Sequence, residues 1–205
     1  MGITDVTLNR SIQFFDDQFN RQVESGDFHL NPFEVRALEH IKGTVLDLGC
    51  GLGNLALAAA RRGHRVTAVD ASAAAIAHIE RTTLAERLPV HAQLTEAADW
   101  KFERNYTTVV SVGLLMFLPR DRALHLLRGI QDHVEPGGRA IINVLTDGTT
   151  FMDMFQPDGY CLFGRDELEN SFSGWETLLA LHDSFPAARN TRKEFATLIA
   201  GKPTR

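Results

Sequence analysis

The chain has 205 residues and a formal net charge of −5, and 44% of its residues are hydrophobic against 23% charged. This balance is typical of a globular protein with one sizeable core. No block of lysine and arginine residues stands out, so an extended nucleic-acid ligand is not expected. No run of about 18 apolar residues occurs either, so we expect no membrane span.

The cysteines and the N-terminus bear on the compartment. Cys50 and Cys161 are the only cysteines and lie far apart in the sequence, which argues against a disulfide framework and a cysteine-based metal site. The first residues lack the basic and apolar regions of a signal peptide. We therefore expect a cytoplasmic protein without a bound metal.

Residues 1–31 are predicted to form an N-terminal helical segment, or lid, in front of a single domain made of residues 32–205. The segment is mostly polar but contains four aromatic side chains, namely Phe14, Phe15, Phe19 and Phe28. One interpretation is a helix that packs these rings onto the body of the protein, and the other is a lid over a ligand site. Both can hold, because a lid needs an apolar underside.

A glycine-rich loop follows the first predicted strand, residues 44–48, and precedes an alanine-rich helix over residues 54–62. It contains Gly49, Gly51 and Gly53. Glycine serves where the backbone turns with positive φ or approaches a ligand closely. The N-terminus of the helix that follows presents unpaired N–H groups, so the loop is suited to a polar ligand.

The spacing of the glycines in this loop restricts the kind of ligand that it can bind. Dinucleotide-binding loops read G-x-G-x-x-G, whereas this one reads G-x-G-x-G and is preceded by Asp47. A carboxylate there repels a pyrophosphate and attracts an ammonium group. We therefore predict a nucleoside with a cationic amino-acid tail, S-adenosylmethionine, rather than a nicotinamide cofactor, with Gly49, Cys50 and Gly51 beside it.

Asp70 follows the second predicted strand, residues 65–69, about twenty residues after the first glycine. A carboxylate at this spacing reaches the ribose hydroxyls of a bound nucleoside, with Ala71 next to it. The alternative is that Asp70 caps the helix that starts at Ala71. The glycine loop upstream favours the ribose role.

Strands and helices alternate along the rest of the chain, which predicts an α/β, three-layer, doubly wound Rossmann-like fold. Its seven-stranded sheet is expected to be mostly parallel with a C-terminal antiparallel hairpin. Ligands of such sheets bind at the carboxyl ends of the strands, where Asp47, Asp70, Glu96 and Val112 would meet. The segment 147–164 is interpreted as the wall of a substrate pocket. The other predicted elements are helices 32–41, 72–87, 119–134 and 165–172, strands 90–94, 107–112, 139–145, 175–181 and 194–200, a turn at residues 136–138 and a hairpin loop 183–193. In the helix 72–87, Ile76, Ile79 and Leu84 are expected to face the core.

The segment D-L-G-C-G-L-G, residues 47–53, resembles the first motif of the class I S-adenosylmethionine-dependent methyltransferases. In that family a later loop reads G-D-A-x-x-L-P-F, and residues 95–102, T-E-A-A-D-W-K-F, are similar to it. The resemblance implies that Glu96 accepts a hydrogen bond from the adenine amino group and that the Ala97 N–H donates to a ring nitrogen. Asp99 takes the acidic role if the loop is one turn out of register.

The C-terminal part of the chain resembles the tellurite-resistance methyltransferases, a small-molecule subgroup. The resemblance implies a catalytic role for His182 with arginines close by. Asp183 stands where that family has an arginine directly after the histidine, and Asn190 stands where it has a second one, with Arg189 next to it. The similar segments are L-L-M-F-L (114–118), F-G-R-D-E-L (163–168), G-W-E (174–176), L-H (181–182) and F-A-T-L (195–198).

These observations predict a methyltransferase that produces S-adenosylhomocysteine and acts on a small molecule as a monomer or homodimer. The resemblance implies a chalcogen oxyanion (tellurite or selenite) as acceptor, and a thiol is a second soft candidate. Neither needs a strong base, and His182 and Arg189 are the candidate catalytic residues. Asp183 weakens the basic cradle that an oxyanion needs. It keeps open the alternative of a non-catalytic, cofactor-binding regulatory protein on the same fold.

Overall fold

The computed structural model describes residues 10–204 and contains a single seven-stranded sheet in that range. The helices are α1 (Arg10–Ser25), α2 (Pro32–His40), α3 (Asn54–Arg61), α4 (Ala73–Glu86), α5 (Arg120–His133) and α6 (Glu167–Ser171). The strands are β1 (Thr44–Leu48), β2 (Arg65–Asp70), β3 (Val90–Leu94), β4 (Tyr106–Val112), β5 (Val134–Leu145), β6 (Glu176–Ala187) and β7 (Thr191–Gly201).

The strand order is β3-β2-β1-β4-β5-β7-β6. Neighbours from β3 to β5 pair in parallel, and β7 runs antiparallel to both β5 and β6. The chain reverses its direction of winding between β3 and β4, so the carboxyl ends of β1 and β4 flank the point where ligands of such sheets bind. The predicted fold class is thereby confirmed.

Two apolar cores cover the two faces of the sheet. On one face, α2, α3 and α4 pack against alternate strand residues that include Val45, Val110 and Ile199. On the opposite face, α5 and α6 pack against the intervening residues, among them Leu46 and Ala196. This alternation is the two-residue period of a strand. It decides which side chains of β6 and β7 can reach a ligand.

The C-terminal hairpin is longer than predicted. The region expected to be a loop, 183–193, is strand except for a tight turn at Ala188–Asn190. The residues of β6 alternate between half-buried and exposed positions, because this strand lies at the sheet edge. Its charged residues therefore read as loop in the sequence although they pair with β7 throughout.

Two other expectations were wrong. The P-G-G segment, residues 136–138, is not a separate turn before the fifth strand but lies inside β5, where the register with β4 shifts. Leu84 was expected in the core and is 82% exposed, whereas Ile79 is fully buried. The two are five residues apart on α4, which places them about 140° apart around a helix.

Within residues 10–204, every helix falls short of the length and apolar character that a membrane crossing requires. In the same range, no three histidine, cysteine, aspartate or glutamate side chains are grouped closely enough to hold a metal ion.

Candidate active site

A cavity of about 460 Å³ opens at the carboxyl ends of the parallel strands. Its volume is within the range of small-molecule sites. The cavity brings together every residue that the sequence predicted to bind the cofactor, although the contacts of each with a ligand stay predictions. These residues are Asp47, Gly49, Cys50, Gly51, Asp70, Ala71, Glu96, Ala97 and Val112.

The glycine loop connects β1 to α3 in a conformation that a side chain would prevent. Gly53 has φ +74°, and a Cβ atom there would lie 2.6 Å from Cγ1 of Ile79 on α4. Gly49 has φ +69°, and a Cβ atom there would lie 2.9 Å from Leu114. Positive φ and close approach both favour glycine. The loop is thus held tightly between α4 and the turn after β4.

Asp47 lies at the floor of the cavity with 4% of its surface exposed, and its Oδ2 atom has no hydrogen-bond partner. Burial, with smaller effects from the neighbouring Glu34 and Asp70 carboxylates, raises the pKa of Asp47 to about 8. An unpartnered buried carboxylate is costly unless a cation approaches it. A ligand with an ammonium group would supply such a cation, and the binding of that group by Asp47 stays a prediction.

Asp70 bridges the glycine loop and the start of α4. Its Oδ2 accepts a hydrogen bond from Gly51 N at 2.8 Å, and its Oδ1 accepts from Ser72 N at 2.9 Å. Burial raises the pKa of Asp70 even though these N–H groups act in the opposite direction. The alternative role as helix cap is wrong, because Ser72 caps α4 by accepting from Ala75 N at 3.2 Å. The carboxylate keeps acceptor capacity for a ribose.

The loop after β3 places the two acidic residues that are candidates for binding the adenine in different surroundings. Glu96 and Ala97 line the cavity. Asp99 is exposed on the outside of the turn and pairs with Arg122 at 3.4 Å. Trp100 packs against the core on the α5 side of the sheet. The geometry thus favours Glu96 over Asp99, in the register that the resemblance implied.

Helix α1 covers the cavity. Phe15 contacts the Phe117 ring edge-on at 4.9 Å, and the Phe19 ring lies over the glycine loop. The Ser72 hydroxyl donates to Asp16 Oδ1 at 2.5 Å, which ties α1 to the N-terminus of α4. Phe28 is 40% exposed and stacks on His78 instead. The apolar underside expected of a lid is present, whereas residues 1–9 of the predicted segment lie outside the described residues.

The sequence reasoning missed two charged residues of the cavity, Glu34 and Lys193. Glu34 forms a capping box with Asn31, whose backbone N–H donates to Glu34 Oε2 at 2.8 Å. The N-x-x-E pattern before the apolar residues of α2 was the available signal. Burial raises the pKa of Glu34. The signal for Lys193 is its spacing of two from Phe195, which places both on one face of a strand.

The structure does not place the two candidate catalytic residues against this cavity. His182 is exposed, and one of its ring nitrogens lies 2.8 Å from the Arg165 carbonyl oxygen. It pairs in register with Ala196, on the sheet face opposite to Asp47. Arg189 lies in the turn of the hairpin, where it pairs with Asp153. Their catalytic roles stay predictions, and this placement does not favour them.

Asp183 is neutralised by a residue far away in the sequence. Its Oδ2 accepts from Arg36 Nη1 of α2 at 2.8 Å, with both side chains partly buried. Residues 183 and 182 point to opposite faces because they are adjacent on a strand. The aspartate that departs from the family pattern therefore joins α2 to β6 and does not sit beside His182.

The expected substrate wall, residues 147–164, is mainly a core of its own. Met154 and Phe155 are buried in it, and Phe155 stacks on Tyr160 at 4.6 Å. Among the described residues of this segment, Met154 lines the cavity. Cys161 is buried in the core on the α5 side, where burial raises its pKa to about 11.

The sheet order, the cavity at its carboxyl edge and the acidic residues of that cavity define a class I methyltransferase fold. Residues 10–187 match the family described as tellurite resistance protein TehB. The chain belongs to this family, as the sequence resemblance predicted.

The chain is also similar in sequence to curated proteins. The chain is 30% identical over 164 residues to Hemagglutinin 1 of Eikenella corrodens, covering 77% of this chain and 54% of that protein. The same identity and coverage of this chain hold for a probable S-adenosyl-L-methionine-dependent methyltransferase TehB of Haemophilus influenzae, of which 57% is covered. The chain thus spans about half the length of the curated relatives it matches.

A solved structure shows the same fold. The crystal structure of TehB from Haemophilus influenzae superposes with a TM-score of 0.74 at 25% identity, covering 94% of this chain and 67% of that one.

Proposed function

We propose that this chain is an S-adenosylmethionine-dependent methyltransferase that acts on a small molecule. The observation that carries the proposal is the unpartnered Oδ2 atom of Asp47 at the floor of the cavity. A buried carboxylate in that state needs a cationic ligand, and membership of the TehB family supplies the candidate. The expected monomeric or homodimeric state and cytoplasmic location stay predictions.

The residues of the cavity fit this cofactor in chemistry and in order along the sheet. Asp47 binds the ammonium group, Asp70 the ribose hydroxyls and Glu96 the adenine amino group. When bound, S-adenosylmethionine supplies an electrophilic methyl group on a sulfonium. Four carboxylates in the cavity wall, those of Glu34, Asp47, Asp70 and Glu96, match that positive charge.

The remaining task of the protein is alignment and exclusion of water. The Phe15 and Phe19 rings of α1 shield the cavity from solvent on the side of the glycine loop. Cys50 lies in the same wall, but burial raises the pKa of its thiol well above the usual range, so it stays protonated. The protein therefore offers no thiolate of its own at this position to compete with the acceptor.

A chalcogen oxyanion (tellurite or selenite) and a thiol remain the proposed acceptors, because a soft nucleophile needs no strong base. The description of the matched family, tellurite resistance protein TehB, points to tellurite. The acidic wall and the pairing of Asp183 with Arg36 instead favour an acceptor other than a bare oxyanion. An assay over tellurite, selenite and a set of thiols, with the methylated product identified by mass spectrometry, distinguishes them.

The competing function is a non-catalytic cofactor-binding protein, favoured by the exposed positions of His182 and Arg189. Calorimetry with S-adenosylhomocysteine and the product assay together decide between the two. We expect binding of S-adenosylhomocysteine, none of NAD, and a methylated product from at least one acceptor. Binding without product over the whole panel would favour the regulatory protein, and the absence of binding would contradict both.

A further inference from the structure

Lys193 is a cation at the end of the cavity that the proposed cofactor contacts do not use. It is half-buried at the start of β7 and lines the same cavity as Asp47. Among the described residues of the cavity wall, Lys193 and the exposed His29 are the basic ones. The wall otherwise carries four carboxylates. A lysine in such a wall is unusual, and we therefore consider which ligand group it binds.

One aromatic ring contacts this lysine, and two further aromatic residues are its neighbours in the sheet. Its ammonium group lies 4.8 Å from the centre of the Phe151 ring. Phe185 faces it across the β6–β7 pair, and Phe195 is two residues further along the same strand face. Burial lowers the pKa of Lys193, and within residues 10–204 no carboxylate forms an ion pair with it. A cation held in this way gains most from an anionic ligand.

The sheet register separates Lys193 from the site of the cofactor tail. Asp47 aligns with Val110, Val110 with Ile141, and Ile141 with Ile199. Lys193 precedes Ile199 by six residues on β7, which is roughly 20 Å along the strand at about 3.3 Å per residue. The amino and carboxylate groups of the cofactor tail are attached to one carbon atom. A lysine this far from Asp47 is therefore placed to bind a second molecule.

Among the described residues, the wall between these two ends is largely apolar, and Asn143 presents a free acceptor atom in it. Phe33 packs on Phe195 at 4.8 Å, and Met154 lies in the same wall. Asn143 is 1% exposed, donates from Nδ2 to Thr197 at 2.9 Å, and has no partner for its Oδ1 atom. A ligand that spans this region meets an apolar surface, an amide oxygen and then the lysine.

We propose that Lys193 binds the anionic group of the methyl acceptor, and that the acceptor is a small organic acid with an apolar body. This inference rests on the proposed function and names the substrate class of the same site. Of the acceptors proposed above, it agrees with a thiol that also carries an acid group and not with a bare tellurite or selenite ion. The apolar body packs between Phe33, Phe195 and Met154, and the nucleophilic end points along the cavity toward the cofactor. Lys193 determines specificity by charge and takes no part in the transfer itself.

Benzoate and its neutral counterpart benzamide test the proposal, because they differ in charge and share the ring. Their affinities are measured by calorimetry for the protein saturated with S-adenosylhomocysteine and for the ligand-free protein. The variants are Lys193→Met, Lys193→Gln, Lys193→Arg and, as a control, Lys101→Met, which removes an exposed lysine outside the cavity wall. Two neutral variants are used so that one remains if the other fails to fold.

The unchanged protein is expected to bind benzoate about ten to a hundred times more tightly than benzamide. The preference disappears in the two neutral variants and persists in Lys193→Arg and Lys101→Met, while the affinity for S-adenosylhomocysteine changes less than about twofold. Equal binding of both probes by the unchanged protein, or a preference that survives in Lys193→Met, overturns the proposal.

A third result would overturn it differently. If Lys193→Met and Lys193→Gln lose affinity for S-adenosylhomocysteine by more than about tenfold, the lysine binds the cofactor carboxylate rather than the acceptor. If the unchanged protein fails to bind S-adenosylhomocysteine, the proposed function fails. The benzoate preference of the ligand-free protein then still decides the role of Lys193.

Discussion

Asp47 sets the electrostatics of the cavity because it is buried without a partner and lies beside two other carboxylates. Burial raises its pKa from the ordinary value of 3.8 to about 8. Between these two values the ligand-free folded protein holds a proton that the unfolded chain has released. The stability of the folded state therefore falls as the pH rises through this window.

We expect Asp47→Asn to make the ligand-free protein more stable than the unchanged chain at pH 8, with a smaller difference at pH 5. The upper limit of the pH dependence that the substitution removes is about 1.4 kcal/mol per pH unit. The affinity for S-adenosylhomocysteine should fall about ten- to a hundredfold, because the ammonium group loses a charged partner. Urea denaturation at both pH values and calorimetry measure these effects.

Asp99→Asn serves as the control, because that carboxylate is exposed outside the cavity and pairs with Arg122. Its stability and cofactor affinity should match those of the unchanged protein. If Asp47→Asn lowers stability at pH 8 or leaves the affinity unaltered, the assignment of Asp47 to the ammonium group is wrong.

At the scale of elements, α1 connects the N-terminal part of the chain to the site. It contacts the turn after β4 through Phe15 and the glycine loop through Phe19, and it is tied to α4 by the Asp16–Ser72 hydrogen bond. These contacts lie directly over the cavity, so a bound ligand would be enclosed between α1 and the sheet edge. The interpretation of α1 as a lid gains a physical basis from this packing.

Phe19→Ala is expected to weaken the binding of S-adenosylhomocysteine by about 1 to 2 kcal/mol, a factor of roughly five to thirty. The ring covers the glycine loop, so its removal admits water to the cofactor side of the cavity. Calorimetry gives the affinity, and hydrogen exchange should show that ligand binding protects the amides of α1 less in the variant.

Leu84→Ala provides the matched comparison, because this leucine is 82% exposed on α4 and does not line the cavity. It should bind S-adenosylhomocysteine as the unchanged protein does. Equal affinities for Phe19→Ala and Leu84→Ala would show that α1 does not contribute to ligand binding.

At the scale of the whole molecule, the site joins elements from both halves of the chain. The cavity wall includes α1, α2, the glycine loop, the loop after β3 and the start of β7. A ligand that bridges these elements binds the folded state and not the unfolded chain. Binding should therefore stabilise the entire domain and not only the loop it touches.

S-adenosylhomocysteine at a hundred times its dissociation constant should stabilise the protein by about 2.7 kcal/mol. For a domain of this size each kcal/mol raises Tm by about 2 to 4 °C, so we expect an increase of roughly 5 to 10 °C. Differential scanning calorimetry measures it. NAD at the same concentration is the control, and an equal shift with NAD would contradict the interpretation of the G-x-G-x-G loop.

The sequence alone determined those parts of the protein in which the local pattern of residues permits one structure only. The glycine spacing with Asp47 before it, and Asp70 at the end of the next strand, place their side chains at one sheet edge whatever the loops between them do. The alternation of strands and helices along the chain likewise predicted the fold class. Only the family resemblance preferred Glu96 to Asp99 as the residue that binds the adenine, and the structure favours the same residue.

Only the tertiary structure decided what lies opposite the cofactor side. Whether a residue of β6 or β7 faces the cavity depends on where each strand begins, and a shift of one residue moves every side chain to the other face. The polar residues of the edge strand β6 gave no pattern from which that register could be predicted. His182 was therefore expected in the site and Lys193 was not. The ion pair of Arg36 with Asp183 likewise joins residues that no local pattern connects, because only the packing of α2 on the sheet brings them together.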